Sequence, residues 1–182
     1  MAQDGSGTPR LTLVLGGARS GKSAYAERLI EALPPPWLYV ATAQAWDDEM
    51  RARIAQHRAR RSGGWETREA PRDLAGVLDG TEPGRPVLVD CLTLWLTNAL
   101  LAEADRSEAG LAAETAALVE ACARHPGPLV LVSNEVGLGI VPDNALARRF
   151  RDETGRLHQR LAALADRVVL TVAGLPLVVK GE

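Results

Sequence analysis

The chain has 182 residues, of which 46% are hydrophobic, and 21 Lys and Arg residues against 23 Asp and Glu residues give a formal charge of −2. This balance predicts one globular domain that buries roughly two-thirds of its unfolded surface, and it excludes collagen-like, disordered and disulfide-stapled proteins. The near-neutral charge argues against a protein that grips nucleic acid through phosphates, and no apolar run reaches the ~20 residues of a membrane-spanning helix. Two cysteines and the lack of a secretory signal pattern lead us to expect a cytoplasmic location.

The order of predicted elements follows from apolar runs and their periodicity. Residues 1–10 are polar and rich in Gly, Ser and Pro, and we expect a flexible leader ahead of a single domain over residues 11–182. Short apolar or alternating runs predict strands at Leu11–Leu15, Trp37–Ala41, Trp65–Glu69, Val87–Val89, Leu129–Val132 and Val168–Val172, with a last hairpin-like segment at Leu175–Lys180. Helical periodicity predicts helices at Lys22–Leu33, Asp47–Arg61, Leu92–Ala102, Leu111–Arg124 and Asn144–Ala165. This alternation predicts an α/β domain with a mostly parallel sheet, in which ligands bind beyond the carboxyl ends of the strands.

A phosphate-binding loop lies between the first predicted strand and the first predicted helix. Its residues fit the pattern G-x-x-x-x-G-K-[ST] and are Gly16, Gly17, Ala18, Arg19, Ser20, Gly21, Lys22 and Ser23. The glycines let backbone N–H groups approach phosphate oxygens, and the helix that follows adds its partial positive charge. We expect Lys22 to reach the β- and γ-phosphates and Ser23 to bind Mg²⁺. The motif in this setting predicts a P-loop NTPase-like (RecA-like) three-layer domain that binds a nucleoside triphosphate.

Asp90 is the second candidate metal ligand, since it follows the apolar run Val87–Val89 at a predicted strand end. An aspartate here is also a favoured N-cap for the helix that follows, and both roles remain open. Lys22 and Lys180 are the only lysines, and neither lies in the N/T-K-x-D sequence with which small GTPases read guanine. A GTP switch of that type is therefore not expected.

His57 is the candidate nucleophile among the histidines. Helical spacing over the predicted segment Asp47–Arg61 places Glu49, Arg53 and His57 on one face. A cationic Arg53 beside the imidazole favours its neutral form, which is the form that attacks phosphorus. From spacing alone, a solvated helix face is the better explanation of these residues.

Four sequence blocks together resemble one enzyme family. They are GGARSGKS, ATAQAWDDEMRARIAQH, VLVDCLTLWLTN and SNEVGLGIVPDNALARRFRDETGRLHQRLA, within roughly residues 11–180. The chain resembles the bifunctional adenosylcobinamide kinase/adenosylcobinamide-phosphate guanylyltransferase family. The resemblance implies that a γ-phosphoryl group passes from ATP or GTP to the hydroxyl of adenosylcobinamide. GTP then donates GMP to that phosphate through a guanylyl-histidine intermediate, which gives adenosylcobinamide-GDP and pyrophosphate.

The resemblance also implies roles for individual residues. The family histidine in R-I-x-x-H falls on His57, and Lys22 is the second catalytic candidate. Further nucleotide contacts fall on Ala41, Thr42, Ala43, Arg58, Ala59, Arg60, Arg61, Glu69 and Asp90. Asn134 and Glu135 either position the acceptor hydroxyl or a metal-bound water, or cap their loop. The family implies a homo-oligomer, with a trimer as the expected state and the His57 helix near a subunit boundary.

Two other functions are compatible with the residues alone. A simple P-loop kinase would phosphorylate a small molecule without a covalent GMP intermediate, and His57 would then be a surface residue. A nucleotide-binding module would act through partners bound by the arginine-rich stretches Arg51–Arg61 and Arg148–Arg160, although solvated helix faces explain those stretches more simply. No clustered aromatic residues in a basic groove indicate a nucleic-acid partner.

Overall fold

The computed structural model describes residues 7–44, 63–102 and 108–181. The strands are β1 (Leu11–Gly16), β2 (Trp37–Ala41), β3 (Trp65–Glu69), β4 (Val87–Asp90), β5 (Leu129–Asn134), β6 (Arg167–Val172) and β7 (Leu175–Lys180). The helices of the described ranges are α1 (Lys22–Glu31), α2 (Leu74–Asp79), α3 (Leu92–Ala102), α4 (Glu108–Arg124) and α5 (Ala145–Leu164). In these ranges no helix is long and apolar enough to cross a membrane.

The strands form one seven-stranded sheet in the order β3-β2-β4-β5-β1-β6-β7. Every neighbouring pair is parallel except β6 and β7, which form an antiparallel hairpin. The predicted α/β fold with a mostly parallel sheet is therefore confirmed. Because parallel strands share one direction, the loops after β1, β2, β3, β4 and β5 all leave the same edge of the sheet, which we call the carboxyl edge.

The core divides into two layers because successive strand residues point to opposite faces of the sheet. One face carries Leu11, Leu13, Leu38, Val40, Val87, Val89, Leu129 and Leu131, which share a buried cluster with residues of α2, α3, α4 and α5. The other face carries Val14, Trp37, Tyr39, Leu88, Val130 and Val132, which cluster with Ala26 and Ile30 of α1. The sheet is thus sandwiched between two helical layers, as the fold class predicts.

β7 differs from the other strands because every one of its six residues is exposed. It lies at one edge of the sheet and pairs only with β6 among the described strands. Its sequence, LPLVVK, carries four large apolar side chains. An edge strand of this composition offers both unpaired backbone groups and hydrocarbon surface to another molecule.

Several details differ from the sequence expectations, among them bounds that shift by one to three residues, as where α1 ends at Glu31. α2 was not expected, because its six residues are too few to show helical periodicity. β5 continues two residues beyond the predicted end at Val132, since Ser133 and Asn134 pair with Leu15 and Gly16 of β1. Arg10, which the composition predicts to be part of the flexible leader, makes side-chain hydrogen bonds to residues at the end of α4. The predicted helix Asp47–Arg61 lies outside the described residues.

Arg10 and His125 make hydrogen bonds that cap the carboxyl end of α4. The Arg10 Nη1 atom donates to the carbonyl oxygens of Cys122 and His125, each at 3.0 Å. The Nδ1 atom of buried His125 accepts from the backbone N–H of Gly127 at 3.0 Å, so this nitrogen must carry no proton. Burial lowers the pKa of His125, the Arg10 charge lowers it further, and Asp79 opposes both.

This arrangement predicts that acid destabilises the protein through His125. Because its pKa is lower in the folded chain, the unfolded chain takes up the proton first as the pH falls below the ordinary value of 6.5. The stabilising contribution is therefore complete above that pH and is lost as the pH falls towards the lowered pKa. Urea unfolding at pH 7.5 and pH 5.5 measures the loss. His125→Asn keeps an acceptor near the Nδ1 position but does not titrate, and it should show a smaller loss. An equal loss in both proteins would contradict this assignment.

Candidate active site

The P-loop begins where β1 ends and closes at the first turn of α1. Gly16 is the last residue of β1, and Gly21 is the N-cap of α1 with a φ of 92°. This left-handed conformation favours glycine. A Cβ atom on Gly16 would lie 2.4 Å from both Ser20 Oγ and Thr171 Oγ1. The first glycine of the motif is thus required by close packing against two neighbouring hydroxyl groups.

The β6–β7 hairpin holds the P-loop from the side. Thr171 Oγ1 of β6 donates to the carbonyl oxygen of Leu15 and lies 3.0 Å from Ser20 Oγ. The backbone N–H of Gly174, in the hairpin turn, donates to the carbonyl oxygen of Ser20 at 2.9 Å. These bonds fix the middle of the P-loop to an adjacent element, so its backbone amides are oriented by the fold itself. The Nζ atom of Lys22 donates to the carbonyl oxygen of Gly17 at 3.1 Å.

Asp90 ends β4 at the carboxyl edge, where β5 separates it from β1 and the P-loop. Its Oδ2 atom accepts from the Tyr39 hydroxyl at 3.2 Å, and Asp90 itself is only partly buried. Carboxylate oxygen is a preferred ligand of Mg²⁺, and a strand end at this edge is where such a ligand reaches a bound phosphate. Among the described residues no group of three His, Cys, Asp or Glu side chains could hold a metal ion alone.

The Thr42 hydroxyl makes hydrogen bonds inside the protein. The residue is fully buried, and its Oγ1 atom donates to the carbonyl oxygen of Cys91 at 2.7 Å and accepts from the Cys91 N–H at 2.8 Å. Asn98 Nδ2 donates to the carbonyl oxygen of Thr42 at 2.9 Å and to that of Pro71 at 3.0 Å. The hydroxyl of Thr42, a residue that the family resemblance assigns to nucleotide binding, thus joins the ends of β2 and β4. The predicted nucleotide contact at Ala41–Ala43 remains a prediction about this segment, with the Thr42 hydroxyl committed to Cys91.

Cys91 follows Asp90 but is not a reactive thiol. Burial, with the adjacent Asp90 charge, raises the pKa of Cys91 to about 11, although a hydrogen bond with Thr93 opposes the shift. Its Sγ atom lies 3.1 Å from Thr93 Oγ1. Because a thiolate is the nucleophilic form, Cys91 stays inert near neutral pH.

Glu135 connects three parts of the site. Its backbone N–H donates to the carbonyl oxygen of Gly16 at 3.0 Å, and its Oε1 atom accepts from the Gly137 N–H at 2.6 Å. Its Oε2 atom lies 3.9 Å from Nδ1 of His158, whose Nε2 atom is 2.7 Å from Ser133 Oγ. Loop capping, one of the two roles left open for Glu135, is therefore present in the structure.

His158, for which the sequence indicates no functional role, is buried beside Ser133 and Glu135. Burial lowers the pKa of His158, and the neighbouring Glu135 carboxylate opposes that shift. Its helical spacing from the buried residues Thr154 and Leu161 could have identified it as inward-facing. No comparable pattern marks Thr171 or Tyr39, because their contacts depend on which strands are neighbours.

Strand register brings several predicted residues into one row along the carboxyl edge. Ala41 is opposite Glu69 on one side and Asp90 on the other. Gly16 is opposite Asn134. Asn134 Nδ2 donates to Thr93 Oγ1 at 3.0 Å, which ties the end of β5 to the helix that follows Asp90. Glu69 is exposed at the far end of the row.

Other predicted residues lie outside the described ranges. These are His57, Arg58, Ala59, Arg60 and Arg61. The structure therefore places the P-loop, Ala41–Ala43, Glu69 and Asp90 at one edge, and the roles of the remaining five stay predictions.

A sequence profile of the family described as cobinamide kinase / cobinamide phosphate guanyltransferase matches residues 12–179. The chain belongs to this family. It is 54% identical to the bifunctional adenosylcobalamin biosynthesis protein CobP of Pseudomonas aeruginosa, over 93% of this chain and 97% of that one. It is 46% identical to the bifunctional adenosylcobalamin biosynthesis protein CobU of Salmonella typhimurium, over 93% and 99% of the two chains. The protein is thus an enzyme of cobalamin biosynthesis, as the sequence blocks imply.

Solved structures support the fold of this cobinamide kinase / guanyltransferase family member. An ATPase of a bacterial type III secretion system aligns over 93% of this chain and 56% of that one, with a TM-score of 0.56 and 12% identity. The flagellar accessory protein FlaH of Methanocaldococcus jannaschii aligns over 98% and 82%, with a TM-score of 0.51 and 16% identity. At sequence identities this low, the structural similarity supports an inference about the fold only. The predicted P-loop NTPase-like, RecA-like architecture is confirmed.

The packing around Gly16 leads to a direct test with a matched control. Gly16→Ala should lower the free energy of unfolding by about 1–3 kcal/mol, because the new Cβ atom meets Ser20 Oγ and Thr171 Oγ1 at 2.4 Å. Gly17→Ala should change it by less than about 0.5 kcal/mol, because nothing lies within 4 Å of the corresponding Cβ position. Denaturant unfolding of the two variants measures both effects. Equal stability of the variants would show that Gly16 is not held in this contact.

Proposed function

We propose that the protein phosphorylates adenosylcobinamide with ATP or GTP, and then transfers GMP from GTP to adenosylcobinamide phosphate. The products of the second step are adenosylcobinamide-GDP and pyrophosphate. Membership of the cobinamide kinase / guanyltransferase family supports both reactions. The single structural observation that carries the proposal is the P-loop, fixed by Thr171 and Gly174 and aligned with Asp90 at the carboxyl edge.

We assign nucleotide binding first to residues 16–23. Backbone N–H groups of this loop and the amino end of α1 stabilise phosphate oxygens, and Lys22 adds a positive charge at the β- and γ-phosphates. In the kinase step, the oxygen of the acceptor hydroxyl attacks the γ-phosphorus and its proton passes to water. The bond from that phosphorus to the β–γ bridging oxygen breaks, and the nucleoside diphosphate leaves. The protein accelerates this step mainly by alignment and by neutralising charge, for which a preorganised loop is suited.

Mg²⁺ is the metal that the proposed chemistry requires. Ser23, in the first turn of α1, and Asp90 supply oxygen donors, which suit a hard cation that keeps water and phosphate ligands. When bound, the ion offsets negative charge on the nucleotide phosphates. The Tyr39 hydroxyl, 3.2 Å from Asp90 Oδ2, restricts the orientation of that carboxylate.

We assign the covalent step to His57. The neutral imidazole attacks the α-phosphorus of GTP, a nitrogen–phosphorus bond forms, and pyrophosphate leaves. The phosphate oxygen of adenosylcobinamide phosphate then attacks the same phosphorus, and the nitrogen–phosphorus bond breaks. Arg58, Ala59, Arg60 and Arg61 follow the nucleophile in sequence, and the three arginines offer charge to the triphosphate.

Glu69 and the segment Ala41–Ala43 complete the proposed nucleotide contacts. An exposed Glu69 carboxylate at the end of β3 accepts hydrogen bonds from guanine N1–H and N2–H₂ or from ribose hydroxyls. Ala41 lies next to it in register, between Glu69 and Asp90. Because the Thr42 hydroxyl is committed to Cys91, contact from this segment uses its backbone or Ala43.

Intact-mass measurement tests the covalent step. Protein incubated with Mg²⁺ and GTP, without corrinoid, should gain the mass of one GMP, and the adduct should be labile to acid. His57→Ala should bind GTP with similar affinity and gain nothing, whereas Lys22→Ala should lose affinity for GTP by at least about tenfold. The variants separate loss of the nucleophile from loss of the binding site.

A lack of adduct on wild-type protein that binds GTP would contradict the proposed intermediate. The surviving account would then be a simple P-loop kinase, which phosphorylates a hydroxyl directly. Phosphorylation of adenosylcobinamide by the same preparation distinguishes that kinase from a module that only binds nucleotide.

A homo-oligomer, with three subunits, is part of the proposal. The exposed apolar strand β7 supports it, because unpaired backbone groups and hydrocarbon side chains on an edge strand favour association with another copy. The hairpin that contains β7 also contacts the P-loop through Gly174. An interface at β7 would therefore lie close to the nucleotide site.

Light scattering tests this surface. Wild-type protein should have the mass of a trimer, and Leu175→Ser/Leu177→Ser should shift it towards the monomer, because both side chains lie on one face of β7. Unfolding by denaturant shows whether the variant monomer remains folded. A trimer that persists unchanged in this variant would exclude β7 as the main interface, and a monomeric wild type would contradict the oligomer itself.

A further inference from the structure

The loop between β5 and α5 exposes its largest apolar side chains to solvent. Leu138 is 87% exposed, Ile140 is 96% exposed and Val141 is 59% exposed. Residues 136–142 read VGLGIVP and carry no charge. We call residues 138–141 the apolar loop. Isolated apolar residues on a surface are common, but three within four positions mark a contact surface.

The apolar loop is anchored to the P-loop at its start. The Glu135 N–H donates to the carbonyl oxygen of Gly16, and the Glu135 carboxylate accepts from the Gly137 N–H. The loop that leads to residues 138–141 therefore leaves β5 beside the first residue of the phosphate site.

The far end of the apolar loop is anchored to α5. Arg148 Nη1 donates to the carbonyl oxygens of Pro142 at 2.9 Å and Asp143 at 2.7 Å. Asn144 caps α5 by accepting from the Ala147 N–H at 2.8 Å. The loop is thus braced at both ends, so its exposed side chains are displayed by a defined backbone.

An apolar cavity of about 210 Å³ lies between α3 and the start of α5, and one of its lining residues, Asn144, comes three residues after the apolar loop. It is lined by Thr97, Leu100, Leu101, Asn144, Leu146, Ala147 and Phe150. Asn98, in the same stretch of α3, donates to the carbonyl oxygens of Thr42 and Pro71, which follow β2 and β3. The cavity therefore lies on the face of the sheet that α3 and α5 cover, and Asn98 ties this stretch of α3 to the carboxyl edge.

We propose that the apolar loop and this cavity form the docking surface for the corrin ring of the acceptor substrate. The inference rests on the proposed function, and it specifies where the acceptor binds. The reacting hydroxyl of adenosylcobinamide lies at the end of a side arm, so only that arm enters the phosphate site and the ring must rest beside it.

The chemistry of the two surfaces matches. The corrin ring carries methyl groups and uncharged amide arms at its periphery, and the apolar loop is also uncharged. Backbone groups of the apolar loop form hydrogen bonds with the amides, and the side chains of Leu138, Ile140 and Val141 pack against the methyl groups. The cavity is too small for the whole ring and fits a peripheral substituent. The uncharged loop beside Gly16 fits the substrate, whereas β7, as an exposed edge strand, is the better candidate for contact with a second protein copy.

Equilibrium dialysis with adenosylcobinamide, read by its visible absorbance, tests the assignment on the full chain. Leu138→Ser/Ile140→Ser should raise the Kd for adenosylcobinamide by at least about tenfold, because two apolar contacts are lost. GTP affinity and formation of the GMP adduct from GTP alone should not change. Both replaced side chains are exposed, so the fold loses no core packing. Leu175→Ser/Leu177→Ser is the matched control and should leave the Kd for adenosylcobinamide unchanged.

The outcomes separate the inference from the function on which it rests. Wild-type protein that binds GTP but neither binds nor phosphorylates adenosylcobinamide would refute the proposed function. Wild-type binding that the apolar-loop variant retains at full affinity would overturn the inference alone. A fall in oligomer mass in the apolar-loop variant, or an equal rise in Kd in the β7 variant, would also overturn it, because the effect would then follow from assembly.

Discussion

The close approach of β6 to a side-chain-free Gly16 is the constraint on which the carboxyl edge depends. Thr171 and Ser20 place their hydroxyl groups where any Cβ on Gly16 would lie, and Thr171 also binds the carbonyl oxygen of Leu15. The loop that leaves β1 is therefore held from its first residue. Gly174 holds the same loop further along, through the carbonyl oxygen of Ser20. A phosphate site built in this way is oriented by strand pairing and requires little rearrangement to receive a ligand.

Polar groups at the same edge are buried, whereas hydrocarbon groups beside them are exposed. Thr42, Ser133 and His158 have little or no contact with solvent, and each makes hydrogen bonds that join neighbouring elements. Such bonds are strong in a low-dielectric interior and costly to break, so they fix the strand ends relative to one another. The exposed side chains of the apolar loop and β7 have the opposite character. A frame of buried hydrogen bonds thus displays apolar surfaces on either side of the nucleotide site.

Much of this architecture is predictable from local patterns. The strand Trp37–Ala41 and the helix Leu92–Ala102 have the predicted bounds, because β-branched and aromatic residues favour a strand in the first run and alanine and leucine favour a helix in the second. The short helix Leu74–Asp79 was missed because six residues show no clear period, and the end of β5 was missed because Ser133 and Asn134 are polar. Their strand conformation depends on pairing with β1, which is a long-range contact.

The sequence by itself determined the P-loop, the α/β class and the family, because each depends on residue types at fixed spacing along the chain. Only the tertiary structure decided that Thr171 and Gly174 hold the P-loop, that the Thr42 hydroxyl is internal, and that Glu135 joins Gly16 to His158. These partners are separated by tens to more than a hundred residues. Strand order makes them neighbours, and that order results from burying both faces of one sheet at once, a condition on the whole chain that no local pattern contains.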